Sequence, residues 1–105
     1  MQVKDVLVEA RDVIVDRGWV QKDYSDDTGF CTVGAVGYVI STRFVDGTLT
    51  DDETTTLFSE AQDALRKALE AGGRITNIVT WNDAGHRTVE DVLELFDEAA
   101  RVAGE

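Results

Sequence analysis

The chain has 105 residues, 43% of them hydrophobic, with one cysteine and a formal charge of −11 at neutral pH. That length supports one domain with one core, burying about 60–70% of the surface the unfolded chain exposes, and a lone Cys31 excludes an internal disulfide framework. Such acidity repels phosphate backbones and anionic lipid, so direct nucleic-acid and membrane partners are not expected. The longest uncharged run is too short to span a bilayer. Lys4, Asp5 and Glu9 stand where a leader would need apolar residues, which points to the cytoplasm of a bacterium or of a phage-infected cell.

Val3, Val6, Leu7, Ala10, Val13 and Ile14 recur at intervals of three and four and predict a first helix over Gln2–Arg17. Gly18 can take the left-handed cap conformation, and Trp19 can fold back on the last turn. Val20–Tyr24 reads as extended, and Ser25–Gly29 as a turn.

Gly29–Ile40 carries no charge and reads as the buried centre. A helix to about Thr42 places Cys31, Gly34, Ala35 and Tyr38 on one face, three of them small, so that another element can cross closely. Asp27 or Thr28 would cap it, with the Cys31 thiol in the first turn. The β-branched Val33, Val36, Val39 and Ile40 keep a strand reading open. Two interior glycines cost a helix about 1 kcal/mol each, which packing must justify. Ser41–Thr50 is polar, with an Asp46-Gly47 turn, and Phe44, Val45 and Leu49 are expected to tuck beneath it.

Thr50-Asp51-Asp52-Glu53 is a capping box opening a helix to about Ala71, with Leu57, Phe58, Ala61, Ala64, Leu65, Ala68 and Leu69 inward and Gly72-Gly73 ending it. Arg74–Trp81 suits a short helical turn better than an extended piece. Asn82–His86 is a loop, and Thr88 with Asp91 caps a last helix over Val89–Val102, with Val89, Val92, Leu93, Phe96, Ala99 and Ala103 inward. The expected fold is mainly α: a small single-domain bundle of about four helices around a buried Cys31–Thr42 segment, with room for a short two-stranded element near Val20–Tyr24 or Ile75–Trp81.

Chemistry is sparse. A thiol at a helix start has its thiolate stabilised by unpaired N–H groups, and His86, oriented by Asn82 or Asp83, would be its base. One Cys and one His make a weak catalytic pair, and a free Cys more often behaves as a small buried hydrophobe. Cys31, His86 and Asp83 lack the paired spacing of a zinc site, and Gly34 and Gly37 lie in no phosphate-binding motif. No cofactor or metal is expected.

The Trp81-Asn82-Asp83 triplet is more informative. Either Trp81 packs on the core while Asn82 or Asp83 ties the loop down, or Trp19, Gln21, Tyr24, Trp81, Asn82, Asp83 and Arg87 surround a binding concavity near Cys31.

Gly18-Trp19-x-Gln21, Gly29-x-Cys31-x-x-Gly34-Ala35, Trp81-Asn82-Asp83 and Arg87-Thr88-x-x-Asp91-Val92, in this order, resemble an uncharacterised family of short proteins of actinobacteria and their phages. The resemblance brings no established activity. It singles out Trp19, Gln21, Cys31, Gly34, Ala35, Trp81, Asn82, Asp83, Arg87 and Thr88, and leaves His86 outside. The leading expectation is a small acidic, non-enzymatic interaction protein, phage-encoded, that binds a host or phage protein, with a homodimer also open. The alternatives are a Cys31-dependent thiol enzyme or small-ligand binder, and an acidic mimic of nucleic acid that inhibits a DNA-binding protein.

Overall fold

The apolar spacing of the first seventeen residues forms helix α1 (Val3–Arg17), with the Gln2 N–H donating to Asp5 Oδ2 at 2.9 Å to open it. A computed structural model describes residues 1–73 and 77–104. After α1 come two-residue strands β1 (Ser25–Asp26) and β2 (Gly29–Phe30), then α2 (Thr32–Val45), α3 (Asp51–Ala71), α4 (Ile78–Asn82) and α5 (Val89–Ala103). The mainly α expectation holds, with the short α4 as a fifth helix among the described residues. α1 lies against α2 and α5, and α3 packs on both of those helices. Together they enclose one core containing Leu7, Ile14, Val36, Ile40, Leu65, Trp81 and Phe96. Among the described residues no helix is long and apolar enough to cross a membrane.

The two-stranded element lies directly after Val20–Tyr24, one of the two places expected for it. Ser25 pairs with Phe30 and Asp26 with Gly29 in an antiparallel hairpin, so the expected turn cluster supplies the strands as well as the turn. The Asp26 carboxylate accepts from Thr28 N and Oγ1 at 2.7 and 2.6 Å, and these bonds draw its pKa below the usual carboxylate range. Val20–Tyr24 is an irregular loop that passes through Lys22 at φ +71°. Of Arg74–Trp81, Arg74, Ile75 and Thr76 lie outside the described residues; Ile78–Trp81 falls within α4, the expected helical turn.

Two further expectations need correcting. α2 continues to Val45, three residues beyond Thr42, which leaves Phe44 and Val45 exposed; only Leu49 tucks in. Its buried face is Thr32, Val33, Ala35, Val36, Val39 and Ile40, with Gly34 and Tyr38 half-buried at its margin. The larger branched side chains offer more apolar area than the small stripe, so they take the inside. In α5 the inward set is Val92, Leu95, Phe96, Ala99 and Ala100, whereas Ala103 is exposed in the last turn. Both capping boxes are present, Thr50 with Glu53 and Thr88 with Asp91.

Candidate functional site

The quoted motifs, scattered from residue 18 to residue 92, converge where the Gly18–Cys31 segment meets α4. Two backbones cross there. Phe30 N donates to Gly18 O at 3.0 Å, and Val20 N to Phe30 O at 3.1 Å. At the crossing Gly18 (φ +103°) would place a Cβ 2.2 Å from Thr28 O. Gly18 is the C-cap of α1, its N–H donating to Ile14 O at 2.8 Å, and has the positive φ expected of it, but its ψ of 169° is extended rather than left-handed helical and leads into the crossing. Cys31 N then donates to Tyr24 O at 3.0 Å, and a Cβ on Gly34 would stand 1.9 Å from that same oxygen. Gly34 is thus the small residue that lets the loop cross the start of α2.

α4 is five residues long, too short to persist unaided. Asn77 caps it, accepting from Thr80 N at 3.0 Å. Trp81 anchors it, being 0% exposed in the core. Arg87 covers that anchor: its guanidinium lies 4.1 Å from the Trp81 ring centroid, its Nε donates to Trp81 O at 2.9 Å, and Asp91 stands 3.7 Å from its Nη1.

Asn82 is the centre of the arrangement and is 1% exposed. Its Oδ1 accepts from Trp19 Nε1 at 2.8 Å, from Thr32 N at 3.0 Å and from Thr32 Oγ1 at 2.7 Å. Its Nδ2 donates to Val20 O at 3.1 Å and to Asp83 Oδ1 at 3.0 Å. Gln21 Nε2 bridges Asn82 O and Ala84 O at 3.0 and 2.7 Å, and Lys22 N donates to Asp83 Oδ1 at 2.8 Å. A side-chain amide offers two donors and two lone pairs, so Asn82 has its capacity filled within the chain. Trp19, expected as a cap contact on α1, is a donor to this network.

On the outer side of the network is a concavity of about 250 Å³ lined by Lys22, Asp23, Tyr24, Cys31, Val79 and Asp83. Of the residues expected to surround it, Tyr24, Asp83 and Cys31 line it. Trp19, Gln21, Asn82 and Arg87 hold its frame by hydrogen bonds, and Trp81 is inside the core. Lys22, Asp23 and Val79 were not anticipated, because an irregular loop and a short helix announce no face by periodicity. Thr32, which supplies Asn82 with two of its donors, was missed as well; its place beside a motif cysteine was the one available signal.

Cys31 is the N-cap of α2 rather than a residue of its first turn, and its Sγ accepts from Gly34 N at 3.2 Å. Burial pushes its pKa up, and the nearby Asp83 carboxylate adds to the effect. The thiol is therefore held neutral, opposite to the activation expected of a helix start, because desolvation outweighs the N–H groups. His86 is not among the residues lining the cavity, and among the described residues no His, Cys, Asp and Glu cluster could hold a metal ion.

Alkylation of Cys31 in folded protein should run at least about tenfold slower at pH 8 than in urea-unfolded protein, since only the thiolate reacts. The sign for stability follows from the same shift. The unfolded thiol ionises first as the pH rises through about 8.5, so stability conferred by the neutral buried thiol is complete below that pH and declines above it. Urea denaturation at pH 7 and pH 9.5 should show a decline that Cys31→Ala lacks; equal declines would contradict the buried neutral thiol.

Residues 1–102 match the family model described as "Family of unknown function (DUF6197)", and the chain belongs to that family. No curated protein and no solved structure matches it.

Proposed function

We propose that this member of a family whose model carries no activity is a small non-enzymatic interaction module, and that Lys22, Asp23, Tyr24 and Val79, around the Cys31 concavity, meet a protein partner. The observation that carries this reading is the way the motif residues are used. Gln21, Asn82 and Asp83 spend their hydrogen bonds on one another and on the loop, which leaves Tyr24 presented at 65% exposure on a tied-down backbone. A pre-ordered loop carrying an aromatic side chain binds with little further loss of entropy. Lys22, at φ +71°, holds a conformation that costs a non-glycine residue about 1 kcal/mol; such strain gathers at functional loops.

The origin in an actinobacterium or its phage, the cytoplasmic setting and a host or phage protein as partner belong to the same proposal. They are supported by the order of the motifs and by the acidic composition. The neutral thiol weighs against thiol chemistry.

The experiment is capture from an actinobacterial lysate with wild-type bait and with Tyr24→Ala. Tyr24 serves the fold through its carbonyl, so the variant should keep its melting temperature within about 2 °C, the change expected for an exposed side chain, and retain at least about tenfold less of the captured protein. Equal retention by the two baits would remove this loop from the binding surface. Trp19→Ala and Arg87→Ala are unsuitable for that test, because both side chains hold the frame.

A further inference from the structure

A second surface lies between α2 and α3, where a groove of about 460 Å³ is lined by residues that include Gly37, Ile40, Phe44, Phe58, Ser59 and Gln62. None of its lining side chains is charged, although 30% of the chain's residues are. Two features there are left open among the described residues. Gly37 sits within α2, and a Cβ built on it meets nothing within 4 Å, so no internal packing offsets its cost to the helix. Phe44 is 44% exposed beside it, and Val45 follows at 82%.

The surrounding charge selects the occupant. Asp51, Asp52 and Glu53 open α3 and are exposed in the turn that precedes the Thr54–Thr55 wall of the groove, whereas Asp46, the C-cap of α2, lies with Glu9 and Asp12 on the side facing α1. Asp51 stands one turn before Thr54 and Thr55, which belong to the groove wall, and therefore continues the same face of α3. A second copy of this chain would bring another −11 charge against these carboxylates. A cationic partner gains from them at long range and loses nothing at the uncharged floor.

We propose that the α2–α3 groove docks an amphipathic helix of a partner protein, with an apolar face seated over Gly37 and between Phe44 and Phe58 and with lysine or arginine at the end nearest Asp51 and Asp52. This is the helix-in-groove mode of recognition, in which apolar anchors at helical spacing supply affinity and flanking charges set orientation. It uses a surface separate from the Cys31 concavity and stands whether or not that loop binds anything.

The test titrates intact ¹⁵N-labelled protein with a synthetic 18-residue leucine/lysine peptide whose leucines form one helical face. Two control peptides accompany it: a scrambled sequence of identical charge, and one with glutamate for lysine. Shifts should concentrate at Gly37, Ser41, Phe44, Thr55 and Ser59. The scrambled and acidic peptides should bind at least tenfold more weakly, and raising salt from 50 to 500 mM should lower affinity at least threefold. Gly37→Gln projects a side chain into the open groove without straining the helix; it should fold at least as well as the wild type and bind the peptide at least tenfold more weakly.

Equal binding of the scrambled peptide, shifts spread over the whole acidic surface, or full affinity in Gly37→Gln would overturn the proposal. So would sedimentation showing a dimer that Gly37→Gln dissociates, since a second copy would then own the groove. Loss of lysate capture in Tyr24→Ala bears on the other surface alone, and the two readings fail separately.

Discussion

Asn82→Ala is expected to destabilise the protein by about 3–5 kcal/mol, a large share of the roughly 5–15 kcal/mol that holds a domain of this kind together. The substitution removes the acceptor of Trp19 Nε1, Thr32 N and Thr32 Oγ1 and the donor to Val20 O. Each polar group left buried without a partner costs about 1–3 kcal/mol, and Trp19, being only part-buried, recovers some of its share from water. The loss should also free the segment between α1 and β1 from α4, so amide exchange of Trp19–Tyr24 should accelerate more than that of α1 or α3. Urea denaturation followed by circular dichroism, with exchange measured by mass spectrometry, checks both. A cost below about 1 kcal/mol would show that the network is decoration on a fold held elsewhere.

Asn82→Asp refines the result. The carboxylate keeps the acceptor but loses the donors to Val20 O and Asp83 Oδ1, and it places a second negative charge beside Asp83. Burial and that like charge disfavour ionisation, while the three donors at Oδ1 favour it. The variant is expected to be less stable than the wild type at pH 7 and to recover partly as the pH falls toward 5, the outcome in which burial and the like charge outweigh the donors; no change over this range would show the donors dominant.

Gly34→Ala is the second large effect, at about 1–3 kcal/mol of destabilisation. The new Cβ would stand 1.9 Å from Tyr24 O and 2.8 Å from its carbonyl carbon, both backbone atoms, so no side-chain rotation relieves the contact. The loop must move away from α2, taking with it the Cys31 N to Tyr24 O hydrogen bond. Overpacking of this kind costs about 1–3 kcal/mol, and the lost bond about 1 kcal/mol more. The gain in helix propensity, about 1 kcal/mol, offsets only part. Gly37→Ala is the internal control: three residues along the same helix and with nothing within 4 Å of the added atom, it should be stabilising by about 0.5–1 kcal/mol. Thermal melts of the two variants should move in opposite directions; parallel shifts would contradict the close approach at Gly34.

These two glycines also show how far a sequence can be read. Both looked alike on the page, as interior glycines of an apolar helix in want of a packing partner. One touches the Tyr24 carbonyl and the other faces open space, because contact depends on a loop whose path carries no periodic signal. The helices themselves were legible. Apolar residues at three- and four-residue spacing placed α1, α3 and α5 within a residue or two, and the Thr50/Glu53 and Thr88/Asp91 boxes marked two of their starts, since caps answer a local need of the backbone.

Side chains at the ends of these elements were harder. Whether Phe44 and Val45 are covered depended on how far α2 ran before the Asp46-Gly47 turn, and the few residues that follow cover only Leu49. Trp81 could be core or surface on the same local evidence. Only the packing of α4 beneath Arg87 placed its ring inside.

By itself, then, the sequence determined a single acidic domain, the type of nearly every element, the capping residues and the short set of positions around which a site would form, all of which follow from spacing and from interactions within a few residues. The tertiary structure decided what those positions do. Asn82 bonds Thr32 across 50 residues and Trp19 across 63, and partners at such separations are chosen by the fold as a whole. It also decided the state of the thiol: the N–H groups at the start of α2 are local and favour a thiolate, but the burial that keeps Cys31 neutral is supplied by the loop and α4 closing over it.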